Sequence, residues 1–227
     1  MKDESAIEPI GVLYYFGDPM CSWCWGFRPV LEQADREYPE LRRVTVMGGL
    51  RRGAEEPMDD TLAEMIRGAW VRIEETTGQP FNHDFWDRHR PLATTVPACR
   101  AVTAARVLDA NLEWPFMVGM FEAYFTGLMD PSQRGTHLNV AESVGFERER
   151  FAEALDSEEV DQALEKDLEW TESMGIRGFP SVVLSLRERY FLIAPGYRTI
   201  EDLRRSINTI YEANDIEFTR PESGLYS

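Results

Sequence analysis

Two rhythms of apolar and polar residues alternate along the chain. Ile10 to Phe16 is a short apolar run, and Leu41 to Met47 carries Val44 and Val46 on one face, so both read as strands. The stretch that follows Cys21 reads as a helix between them, which makes a βαβ unit. Gly48-Gly49 closes the second strand, and from about Asp60 the period changes to that of helices. Thr61 and Glu64 form a capping-box signature ahead of Leu62, Ile66, Ala69, Trp70 and Ile73, which share one helical face to about Thr77. Pro97 opens a second helix striped by Ala98, Ala101, Val102, Ala105 and Leu108, and Phe116 to Leu128 gives a third, rich in aromatics that read as core. Leu138, Ala141 and Val144 make a short helix stopped by Gly145. A longer one, with Val160, Leu164, Leu168 and Trp170, starts near Asp156 and ends at Gly175.

The strand rhythm returns at Ser181. Ser181 to Leu186 and Arg189 to Ala194 are separated by two residues, the spacing of a hairpin, and a last helix from Thr199 carries Ile200, Leu203, Ile207 and Ile210. Gly178-Phe179-Pro180 stands just before the hairpin, where a proline, unable to donate into a ladder, marks strand entry. A strand-rich frame at both ends, residues 1–50 and 175–227, is thus expected to enclose an inserted all-helical domain over 51–174. Glu217 to Ser227 reads as an extended terminus.

The candidate chemistry sits where the first strand hands over to its helix: Cys21-Ser22-Trp23-Cys24, preceded by the turn Gly17-Asp18-Pro19-Met20 and followed by Trp25-Gly26-Phe27. Two thiols separated by two residues in a first helical turn can exchange a disulfide. One attacks a partner to form a mixed disulfide, and the other resolves it. Cys21 is expected at or just before the helix start, where unpaired N–H groups and the positive end of the macrodipole favour a thiolate, so it is the expected nucleophile. Cys24, one turn further in and less exposed, is the expected resolving thiol. A zinc site is the competing reading, but it needs four ligands, and the remaining candidates, Cys99, His83, His89 and His137, lack the usual spacing. No metal is therefore expected. Cys99 reads as a buried, inert thiol, and His83 and His89 as loop residues.

Composition narrows the class. With 227 residues, 43% of them hydrophobic, the chain can bury a proper core, and three cysteines are too few for a disulfide scaffold. Residues 1–8 contain no apolar signal core and no run approaches a membrane span, so a cytoplasmic protein is expected, in a compartment where a Cys-x-x-Cys pair is catalytic rather than structural. Forty acidic residues against twenty-four basic ones give a net charge of −16, which argues against nucleic acid or an anionic membrane as partner. The acidic residues between Glu142 and Glu172 read as solvated helix faces.

At these residues the chain resembles the thioredoxin superfamily, in particular its DsbA-like branch. FrnE-type members share the Asp-Pro-Met-Cys-Ser-Trp-Cys-Trp-Gly-Phe signature found at Asp18 to Phe27. The resemblance spans about Ile10 to Ala213 and includes the helical insertion and the run Met174 to Pro180. It implies an α/β thioredoxin fold with an inserted helical domain, a cis Pro180 facing the cysteines, and a helix-kinking proline at Pro29. Many relatives place an acid six positions before the first cysteine as proton acceptor for the resolving thiol. Here that position is Tyr15, which leaves Asp18 or water for the task. Phe179 stands where a smaller side chain is commoner, and reads as an apolar lip for substrate or as core filling.

The expected function is that of a thiol–disulfide oxidoreductase or isomerase. It would exchange Cys21–Cys24 with cysteines of polypeptides or small thiols, supported by Ser22, Trp23, Phe179 and Pro180, and be serviced by a separate redox partner. No organic cofactor is implied, and glutathione enters at most as a co-substrate. Two alternatives stay open: a glutathione-dependent kappa-type transferase or isomerase of the same fold, whose members usually present serine at the active position, and a metal-binding thiolate module. Arg28, four residues after Cys24, is placed either near the thiolate or out in solvent.

Overall fold

The computed structural model describes residues 9–216, so the expectations for Met1 to Glu8 and Glu217 to Ser227 lie outside the described residues. Strand β1 (Gly11–Gly17) leads into helix α1 (Ser22–Glu37) and then β2 (Leu41–Met47). Seven helices follow: α2 (Asp60–Thr77), α3 (Phe85–Arg88), α4 (Val96–Leu108), α5 (Glu113–Phe125), α6 (Arg134–Val144), α7 (Arg148–Leu155) and α8 (Glu158–Ser173). The chain then returns to β3 (Ser181–Leu186), β4 (Arg189–Pro195) and α9 (Ile200–Glu212). This is the α/β frame with a helical insertion that the hydrophobic pattern predicts.

The four strands lie in the order β2-β1-β3-β4. β1 runs parallel to β2, with Gly11 opposite Leu41, and antiparallel to β3, with Phe16 opposite Ser181. That register brings the C-terminal end of β1, where the Cys21 turn begins, beside the start of β3, where Pro180 enters. The two motifs are 158 residues apart in sequence and meet because the central strand is shared. In the β3–β4 turn Arg187 and Glu188 both have positive φ, 48° and 61°, as a two-residue type I′ hairpin requires.

Helix boundaries follow local chemistry. Gly145 ends α6 with φ 107°, a left-handed conformation that costs glycine nothing, and the Thr199 hydroxyl caps α9 by accepting from the Asp202 amide at 3.2 Å. One expectation is corrected at the start of α2. The cap is the Asp59 carboxylate, which accepts from the Leu62 amide at 2.7 Å, and Thr61 lies inside the helix. Two helices within segments read as connections, α3 and α7, also form. They bury Phe85 and Trp86, and Phe151, Ala154 and Leu155, against the insertion core.

Insertion and frame share one hydrophobic core. Trp25 of α1 stacks on Phe125 of α5 at 6.0 Å between centroids, and its indole N–H donates to the Pro80 carbonyl. A side chain at Gly26 would meet Ile73 and Thr77 at 2.9 Å, so glycine is what lets α2 pack closely on α1. Arg106 of α4 donates to the Thr45 carbonyl on β2 and pairs with Glu113 and Asp167. Burial, the largest effect, holds Glu113 up at about 7 against the pull of Arg106.

Candidate active site

Cys21 is the N-cap of α1, with extended backbone (φ −82°, ψ 112°), and no side chain caps the helix there. Its amide donates to the Asp18 carbonyl at 3.0 Å, closing the turn after β1, and its own carbonyl accepts from the Cys24 and Trp25 amides. The Cys21 thiol is half-buried and donates to the Phe179 carbonyl at 3.4 Å. Cys24 is fully buried. Burial, and next its proximity to Cys21, push the Cys24 thiol well above its ordinary value. Both cysteines are free thiols, so the arrangement is the dithiol form.

The peptide from Phe179 to Pro180 is cis. The Phe179 ring lies over Gly48 at the end of β2, where an added Cβ would fall 2.1 Å from the ring; only glycine leaves room for it. Phe179 is partly buried against both apolar clusters, so it fills core at the edge of the site rather than standing free. Ser22, half-buried, is the first residue of α1. Trp23, also half-buried, packs on Tyr197 at 5.5 Å between centroids. Tyr197 comes from the loop between β4 and α9 and also meets Phe27; nothing in its local sequence marks it as a site residue.

The structure answers two open placements. Arg28 does not reach Cys21: it pairs with Glu32 and Glu122 and lies over the Trp25 ring, because the helix turns it towards the insertion. The Asp18 carboxylate is not available to Cys24 either. It accepts from the Met20 amide at 2.8 Å, the Leu50 amide at 3.0 Å, the Thr95 hydroxyl and the Cys99 thiol. Asp18 is fully buried, and burial outweighs these donors and raises its pKa above the ordinary carboxylate value. It ties the active-site turn to the start of α4, a role invisible locally because Thr95 lies 77 residues away.

The group that does face Cys24 is Tyr15. Its hydroxyl is buried and falls short of a formed hydrogen bond, yet lies near enough to couple to the Cys24 thiol and favour its ionised form. Burial first, then Cys24, raise the Tyr15 pKa well above the phenol value. Tyr15 therefore keeps its proton at neutral pH and cannot be the base an acidic residue would supply. Cys99 is buried beside Asp18, and burial, then the Asp18 charge, raise its pKa. Among the described residues no three His, Cys, Asp or Glu side chains converge as metal ligands, and no helix is long and apolar enough to cross a membrane.

Comparison with known proteins agrees with this fold. A family model described as Thioredoxin matches residues 14–190. The structure of a presumptive protein disulfide isomerase from Nitrosomonas europaea superposes with a TM-score of 0.81 at 32% identity, covering 89% of this chain and 98% of that one. The cytosolic disulfide reductase DsbM from Pseudomonas aeruginosa, determined alone and with GSH, gives 0.72 at 25% identity in the former, over 89% of this chain and 99% of its own. A curated relative, the ClpXP adapter protein SpxH of Halalkalibacterium halodurans, is 24% identical over 182 residues, 75% of this chain and 57% of the relative. The chain thus matches little more than half the length of that relative. A shared central strand, a thiol pair at a helix start and a family match across most of the sequence lead to one assignment: the chain belongs to the thioredoxin family.

Proposed function

We propose that the protein is a thiol–disulfide oxidoreductase that exchanges the Cys21–Cys24 pair with cysteines of polypeptide or small-thiol substrates. The observation that carries this reading is the unequal burial of the two thiols: Cys21 half-buried at the helix N-cap, Cys24 fully buried one turn on. In the reducing direction the Cys21 thiolate attacks one sulfur of a substrate disulfide, and the other leaves as a thiolate. Cys24 then loses its proton to that leaving group or to water and attacks the Cys21 sulfur. The Cys21–Cys24 bond forms, the substrate departs as its second thiolate, and two electrons have moved from the protein dithiol to the substrate.

The Phe179 carbonyl supports the same reading, since its bond to the Cys21 thiol holds the cis-proline loop against the attacking sulfur. Tyr15 assists the second step by donating towards the Cys24 thiolate. The electrons reside in the thiol pair, so neither metal nor organic cofactor is invoked, and glutathione takes part only as a small-thiol co-substrate. A reducing cytoplasm is the compartment that suits this chemistry. Ser22-Trp23 lacks the histidine that makes strong oxidants of some relatives, so the pair should equilibrate with a glutathione buffer at roughly −270 to −180 mV. A potential near −120 mV would mark a dedicated oxidant instead.

The SpxH likeness favours a second reading, an adapter that binds a protein without exchange. Binding that persists unchanged in a cysteine-free variant which folds normally would favour that reading over exchange.

A further inference from the structure

A cavity of about 590 Å³ opens beside Phe179, bounded by the loop after β2 and the loop before β3. Three arginines line it, Arg51 and Arg52 from the first loop and Arg177 from the second, with one acidic side chain, Glu172. In a chain whose net charge is −16, this edge sets three cations against Glu172 and the Glu165 carboxylate that pairs with Arg52, a local surplus of positive charge. We propose that this groove receives an acidic segment of the polypeptide whose cysteine exchanges with Cys21. The inference rests on the oxidoreductase reading and specifies the substrate class.

Arg177 and Arg52 are the cations open to a carboxylate, whereas half-buried Arg51, its Nε donating to the Ala93 carbonyl at 2.8 Å, adds fixed positive charge to the wall. Arg177 is exposed and has no side-chain partner among the described residues. Arg52 pairs with Glu165 at 3.0 Å, both side chains about half exposed at 44% and 54%; an exposed pair of this kind gains little and exchanges readily for a ligand carboxylate. The planar fork of arginine suits bidentate recognition of carboxylates.

The groove also lies where a substrate chain must run. Phe179 lines it and, through its carbonyl, holds the Cys21 thiol, so a polypeptide whose sulfur is bonded to Cys21 would carry its flanking residues into it. The volume falls within the usual range of ligand clefts, and the walls come from two separate loops and the last turns of α8, which together leave an open groove for an extended segment.

The test uses the full chain in its dithiol form and four disulfides: one uncharged small disulfide, glutathione disulfide, and two peptides with the same cysteine core flanked by glutamates or by lysines. At low salt the glutamate peptide should be reduced about tenfold faster than the lysine peptide, and the ratio should shrink towards one as ionic strength rises. In Arg177→Glu the ratio should fall well below its original value. Equal rates for the two peptides, or a ratio unmoved by Arg177→Glu, would overturn the inference while exchange itself stands. Rapid reduction of glutathione disulfide with no preference between the peptides would assign the groove to a small thiol and overturn it equally. No reduction of any of the four would remove the oxidoreductase reading, and this inference with it.

Discussion

Cys21 and Cys99 stand at the starts of two different helices, and their surroundings separate them completely. Cys21 caps α1, half-buried, with its sulfur against the Phe179 carbonyl at the edge of the site. Cys99 sits in the first turn of α4, its amide bonded to the Thr95 carbonyl, but it is fully buried and its sulfur faces the Asp18 carboxylate at 3.6 Å. Both benefit in principle from the helix end, so that position alone does not make a thiol reactive. Access and the sign of the neighbouring charge decide it. Asp18 serves both regions: its carbonyl closes the turn that presents Cys21, and its carboxylate seals the environment that silences Cys99.

The sharpest way to break this contrast is to remove each thiol in turn. Cys21→Ser should lower the rate of peptide disulfide reduction by at least about 10³-fold, as expected for loss of a nucleophile, whereas Cys99→Ser should stay within about twofold of the original. A large loss of turnover in a folded Cys99→Ser variant would make Cys99 a redox partner and end the contrast.

Next in size is the residue that joins the two regions. Asp18→Ala leaves the Met20 and Leu50 amides without their acceptor while relieving the burial of a carboxylate. A net loss of about 2–4 kcal/mol in urea unfolding is expected. A loss below about 0.5 kcal/mol would show that the turn holds without it.

A smaller effect should appear on the Cys24 side. Tyr15→Phe removes a hydroxyl that lies close to Cys24, so resolution of the mixed disulfide should slow about two- to threefold, less than the loss of a formed hydrogen bond, with Cys21 alkylation unaffected. Stopped-flow measurement of the resolving step reads this directly, and an unchanged rate would leave Tyr15 a packing residue only.

The last effect concerns pH. The Cys99 thiol has its pKa raised in the folded chain above the ordinary thiol value of 9.0. The folded state therefore holds this proton more tightly than the unfolded one, and the contribution of Cys99 to stability is complete below about 9 and declines as pH rises through the folded value. Cys99→Ser should flatten that alkaline decline by about 1 kcal/mol between pH 8 and 10 and leave the part due to Cys24 and Tyr15, which titrate in the same sense. A steeper alkaline decline in Cys99→Ser would contradict the assignment.

Much of this architecture was legible in the order of residues, and the failures share a cause. The β1-α1-β2 unit, the hairpin and the thiol turn rest on local periodicity and punctuation, and each lies within about one residue of the predicted bounds. Helix α7 escaped because eight residues supply only Phe151, Ala154 and Leu155 as a buried stripe, between charged neighbours. The cap of α2 was misplaced because Asp59, Asp60 and Thr61 all have capping side chains, and only geometry selects Asp59. Arg28 was left between two placements because proximity in sequence to Cys24 says nothing of which helix face it occupies. The Asp18–Thr95–Cys99 cluster and the arginine groove join segments far apart in the chain, beyond the reach of any local pattern.

The central claim is that Cys21 attacks and Cys24 resolves, and the most direct measurement is mass-spectrometric mapping of the covalent adduct formed with a peptide disulfide. In Cys24→Ser the adduct should accumulate on Cys21 at about one peptide per chain, because attack proceeds and resolution cannot. In Cys21→Ser no adduct should accumulate on either remaining thiol. A stable adduct on Cys24 in Cys21→Ser, with none on Cys21 in Cys24→Ser, would contradict the account.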